Sequence, residues 1–104
     1  MEHNYYNYFI LFYYILDSLC DKENNEELSL FISDVNPFLF RGEGSADPAI
    51  YDDFKTICNA YKKTAANGYD ITKIFVDQKC PQCVKDIFSD ITEEEWDNAY
   101  HMCF

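Results

Sequence analysis

Cys80-Pro81-Gln82-Cys83 is the stretch of this chain whose residue types and spacing could do chemistry unaided. Two thiols three residues apart can face one centre, either to close a redox disulfide or to furnish half of a tetrahedral zinc site. The preceding Lys73-Ile74-Phe75-Val76-Asp77-Gln78-Lys79 could be the strand leading into a redox C-P-x-C helix. Only 21 residues follow Cys83, however, too few for the long βαβ region such a fold carries downstream. A zinc site would need His101 and Cys103 as well. Two residues apart on a helix, these point about 200° away from each other. No metal and no cofactor is therefore expected, and Cys58 and Cys103 read as ordinary core thiols.

Other catalytic arrangements are weaker still. His3 and His101 are the only histidines, and the chain has no Gly-rich phosphate loop, no G-x-S-x-G and no H-E-x-x-H. The carboxylate pairs Asp52-Asp53 and Glu26-Glu27 are sequence neighbours, so on a helix they diverge instead of sharing a proton. The sequence does not point to an enzyme.

Recognition is better supported. The 104 residues carry 19 Asp and Glu against 8 Lys and Arg, a net charge of −11, where a magnitude of about 2–8 keeps a small domain soluble. The surplus is uneven. Residues 21–47 hold seven carboxylates against two basic side chains and residues 80–104 hold six against one, whereas residues 48–79 are close to neutral. Such a balance works against direct binding to nucleic acid or an anionic membrane and favours a basic protein as partner. In the loop Asn36–Asp47, Phe38, Leu39 and Phe40 stand beside a Gly-flanked acidic turn containing Glu43; they either fold onto the core or anchor a partner. Nine tyrosines exceed what a core can satisfy, so some of Tyr5, Tyr6, Tyr8, Tyr51, Tyr69 and Tyr100 are expected at the surface. Tyrosines among carboxylates suit a Lys- and Arg-rich face.

The reading that follows is an immunity-type inhibitor that covers the functional surface of a basic, nuclease-like toxin. Its candidate contact residues are Glu26, Glu27, Asp34, Phe38, Phe40, Glu43, Asp86, Asp90, Glu93, Glu94 and Asp97. One alternative is a nucleic-acid mimic that inhibits a DNA-handling or RNA-guided nuclease complex, in which the two acidic blocks would form one stripe. The other is a metal or redox protein built on Cys80 and Cys83.

These side chains must be positioned by helices. With 19 aromatic residues, the chain reads as one acidic all-α domain over residues 1–104, a compact bundle of five or six short helices around an aromatic-rich core. Residues 4–20 are apolar on nearly every side, which predicts a central helix, although Tyr8–Ile15 would also suit a buried strand. After a polar break at 21–24, a helix over 25–35 turns Leu28, Phe31, Ile32 and Val35 inward, and Pro37 ends it. Asp47 as N-cap, Pro48 at the first position and Gly68 as C-terminal stop bracket a third helix with Ile50, Phe54, Ile57, Cys58, Tyr61 and Ala65 as its stripe. Residues 70–78 fit a short helix or a strand, and 81–89 restart as helix. Thr92-Glu93-Glu94-Glu95 is a capping box, opening a last helix that turns Trp96, Ala99, Tyr100 and Cys103 inward. The nine-residue apolar run Tyr8–Leu16 is short of the roughly 20 residues a membrane span needs, and no Lys or Arg precedes it. A cytoplasmic location is expected, with which an odd number of cysteines agrees.

Overall fold

In the computed structural model, residues 5–23, 26–39, 45, 47–61 and 68–104 are described, with side chains except at 19–23 and 39. They form six α-helices and one 3-10 turn: α1 (Tyr5–Glu23), α2 (Glu26–Val35), the 3-10 turn Pro37–Leu39, α3 (Pro48–Tyr61), α4 (Gly68–Lys79), α5 (Gln82–Ser89) and α6 (Glu93–Cys103). No strand occurs among the described residues, so both helix-or-strand ambiguities resolve to helix. The radius of gyration, 12.7 Å, is that of a close-packed chain of this length.

Helix α1 is the hub: it packs against every other helix and against the 3-10 turn. Phe9, Leu11, Phe12 and Leu16 of α1 are buried, and the rings of Phe9 and Phe12 lead into those of Phe54 on α3, Phe75 on α4 and Phe88 on α5. A helix that is apolar on most sides is stable only when enclosed, and α2 to α6 enclose it. The apolar stripe of α2 is as expected, with Leu28, Ile32 and Val35 buried and Phe31 half-buried. Helix α1 runs on through Asp21-Lys22-Glu23, the stretch read as a break, because these residues are polar without being helix breakers.

Local chemistry fixes several termini. Asp47 caps α3 by accepting from the Ala49 N–H at 3.1 Å. Buried Ser45 accepts from the Tyr51 N–H at 3.1 Å and donates to the Asp47 carbonyl. The capping box of α6 is complete: Thr92 Oγ1 accepts from the Glu95 N–H at 3.1 Å, and Glu95 Oε1 accepts from the Thr92 N–H at 3.2 Å. Pro81 precedes the first residue of α5 with extended backbone.

Gly68 is not a helix stop but the first residue of α4. Its role is close approach: a Cβ there would stand 2.6 Å from Cδ1 and 2.7 Å from Cζ of the Tyr8 ring. That ring is held in turn by Trp96 and Tyr100, with centroids 6.5 Å and 5.8 Å away. Gly68→Ala is therefore expected to destabilise the fold by about 1–3 kcal/mol through overpacking, although alanine is intrinsically the better helix former. Urea denaturation checks this. A Tyr8→Leu background should recover part of the loss, and a neutral or stabilising Gly68→Ala would refute the close-approach account.

Candidate protein-interaction surface

The candidate contact residues that are described are all exposed: Glu26, Glu27 and Asp34 on α2, Phe38 in the 3-10 turn, Asp86 on α5, Asp90 at its C-cap, and Glu93, Glu94 and Asp97 on α6. Phe40 and Glu43 lie outside the described residues, as does Ala65 of the expected α3 stripe.

The two acidic blocks meet where α2 packs against α5. The Cys83 thiol on α5 donates to Glu27 Oε1 on α2 at 3.7 Å. Asp86 and Asp90 follow Cys83 at three and seven residues, the spacing that keeps them near one face of α5. Gln82 Nε2 holds the Asp86 carboxylate at 2.8 Å. From the Glu27–Cys83 contact the chain carries Asp86 and Asp90 onward to the acidic first turn of α6. On α2, Leu30 stands three residues after Glu27 and four before Asp34 and is 63% exposed, an apolar side chain among acids. Part of the acid also serves the helices. Glu26 and Glu27 occupy the first turn of α2, and Glu93, Glu94 and Glu95 that of α6, where negative charge offsets the helix dipole.

A second exposed feature adjoins α1. Phe38 is 58% exposed, yet its ring sits 5.9 Å from both Tyr13 and Tyr14. Folding back and presentation to solvent therefore coexist. Asn36 Oδ1 accepts from the Phe38 N–H at 2.9 Å and fixes the turn, and Pro37 is buried beneath it. Tyr14 is 40% exposed, whereas Tyr51 is buried and Tyr5, Tyr6, Tyr8, Tyr69 and Tyr100 are half-buried. Of the tyrosines named as surface candidates, Tyr51 is the one that is enclosed, and the other five are partly exposed. Tyr51 packs on Tyr6, Phe9 and Phe54, and Tyr69 stacks on Phe88 while donating its hydroxyl to the Ile91 carbonyl at 2.7 Å. Sequence reasoning missed Tyr14 and Leu30. For Tyr14 the signal was present: Asp17 and Ser18, three and four residues on, mark a polar face on a helix otherwise read as apolar all round.

The thiols are arranged for packing. Cys80 is buried and Cys83 half-buried, and neither is in a disulfide. Burial pushes the Cys80 thiol up to about 12; nearby Lys85 opposes this and Cys83 adds to it. Burial also raises Cys83, followed by the charge and hydrogen bond of Glu27. A redox or nucleophilic dithiol works through a thiolate of lowered pKa, and these shifts run the other way. Cys103 is exposed, not core. It lies two turns beyond Trp96, about 10 Å along the axis, as the last residue of α6. No group of three or more His, Cys, Asp or Glu among the described residues is placed to hold a metal ion. No helix among them is long and apolar enough to cross a membrane.

Fold and surface together define an all-α, six-helix domain, aromatic inside, with carboxylates and exposed apolar side chains grouped outside. No protein-family model, curated protein or solved structure matches the chain.

Proposed function

We propose that the protein is a cytoplasmic inhibitor of the immunity type that binds a basic, nuclease-like toxin domain and covers its functional surface. The observation that carries this reading is the contact of the two acidic segments where Glu27 of α2 accepts from Cys83 of α5, three residues before Asp86, with Leu30 exposed on the same helix as Glu27. A nuclease needs a cationic groove for its substrate, and carboxylates facing that groove steer association and exclude nucleic acid, while an apolar side chain between them slows release.

The test is capture of partners from the source cell's lysate at low salt, followed by a salt gradient. A basic protein should elute at moderate salt. Its association rate should fall about tenfold or more between about 50 mM and about 500 mM salt. Glu27→Gln with Asp86→Asn should slow association while leaving dissociation nearly unchanged, whereas Leu30→Ala should speed dissociation. An acidic partner, or association indifferent to salt, would overturn the reading.

The contact between the two acidic segments at Glu27 and Cys83 also favours a second reading, a nucleic-acid mimic that inhibits a DNA-handling or RNA-guided nuclease complex. Under that reading a nucleic acid duplex displaces the protein from its partner and the Leu30→Ala variant binds normally.

A further inference from the structure

We propose that Tyr13, Tyr14 and Phe38, with Asp17 beside them, form a seat for an arginine side chain of a basic partner. The inference rests on the basic-partner reading above and adds a specific anchor at a different place on the surface. The three ring centroids stand 6.0, 5.9 and 5.9 Å apart, with Tyr13 edge-on to Phe38 and Tyr14 tilted 34° from it. This is a packed aromatic platform, and the Asn36–Pro37 turn holds Phe38 in it before any partner arrives. Tyr14 and Phe38 are the exposed members of the platform.

The choice of a cation comes from comparison within the chain. Tyr51 and Tyr69 each receive a lysine from four residues further along their own helix, with Lys55 Nζ 5.7 Å from the Tyr51 centroid and Lys73 Nζ 5.8 Å from that of Tyr69. At the corresponding place after Tyr13 stands Asp17. Its charge, after burial and together with neighbouring Tyr14, holds the Tyr13 phenol above its ordinary value. The platform therefore joins electron-rich ring faces to a carboxylate, where the other two tyrosines already have a cation. A guanidinium can lie flat on a ring while its edge donates to a carboxylate; an ammonium is a compact, strongly hydrated charge that stacks less well. The geometry thus selects arginine over lysine.

The test is titration of the isotope-labelled protein with hexa-arginine and hexa-lysine peptides, followed through the aromatic resonances. Hexa-arginine should shift Tyr13, Tyr14 and Phe38 and bind at least about threefold more tightly than hexa-lysine. Phe38→Leu, which keeps an apolar side chain but removes the ring, and Asp17→Asn should each abolish that preference. Glu94→Gln should weaken both peptides alike. Equal affinities, or an arginine preference that survives Phe38→Leu, would overturn the arginine seat and leave the basic-partner reading standing. Failure of both peptides to bind at low salt would overturn the basic-partner reading as well. Concentration-dependent shifts of the same rings without peptide would assign the platform to a second copy of the chain and overturn the seat.

Discussion

Phe12→Ala is expected to cost about 3–5 kcal/mol of folding stability and to lower the thermal midpoint by roughly 15–25 °C. The side chain is fully buried on α1. Its ring meets Phe9 at 6.3 Å, Phe75 of α4 edge-on at 5.7 Å and Phe88 of α5 at 6.1 Å. Truncation removes apolar area, deletes three ring contacts that add beyond area burial, and leaves a cavity among helices that cannot all move inward toward α1. Against a total stability of about 5–15 kcal/mol for a domain of this size, the loss is a large fraction, and a shallow, non-cooperative melt would mark the lower end. Phe38→Ala is the control, since its exposed ring should cost less than about 1 kcal/mol. Equal losses at the two positions would mean that α1 is not the element on which the bundle depends.

The parts of this fold that were legible in the sequence are those governed by near neighbours along the chain. Asp47 and Pro48 start α3, and Thr92 and Glu95 start α6, because capping is settled within three residues. The stripe Leu28, Ile32, Val35 was readable because helical periodicity is local as well. Gly68 was misread because a glycine after Asn67 looks like a helix stop, while its actual constraint, the ring of Tyr8, lies 60 residues away in the chain. The enclosure of Tyr51 was unreadable for the same reason. Tyr51 and Tyr14 do not differ in type, and only the packing of α3 on α1 decides that one is enclosed and the other faces outward.

The candidate surface divides along the same line. That Glu26, Asp86, Glu94 and the other acidic candidates would be exposed follows from the cost of burying an unpaired carboxylate. That Glu27 would touch α5 does not, because the contact with Cys83 spans 56 positions. The same contact gives Cys83 a role no motif suggested: a thiol on α5 that donates to a carboxylate of α2. The C-x-x-C spacing, the most conspicuous pattern in the sequence, reflects the turn between α4 and α5, with Cys80 closing one helix inside the core and Cys83 in the first turn of the next.

Raising the pH should unfold the protein well before its arginine or backbone chemistry is touched, and the buried thiols set where this begins. Burial pushes the Cys58 thiol up to about 12, with a backbone hydrogen bond partly opposing it, and burial likewise takes Cys80 to about 12. The ordinary thiol value is 9.0, so between these limits the unfolded chain has released protons that the folded chain still holds. Stability is therefore unaffected by these groups below pH 9 and falls as pH rises above it, by up to about 1.4 kcal/mol per pH unit for each thiol. At about pH 10.5 the two together should remove up to about 4 kcal/mol, while Tyr8, raised mainly by burial, adds its share only at higher pH. Urea midpoints measured under reductant from pH 8 upward check the slope, and a Cys58→Ala, Cys80→Ala double variant should flatten it. The competing cause is self-repulsion of a chain that already carries −11. Salt separates the two, because screening relieves repulsion between exposed charges and does little for a thiolate that must leave the core. A slope that disappears in high salt and survives in the double variant would assign alkaline unfolding to the acidic surface instead of the buried sulfurs.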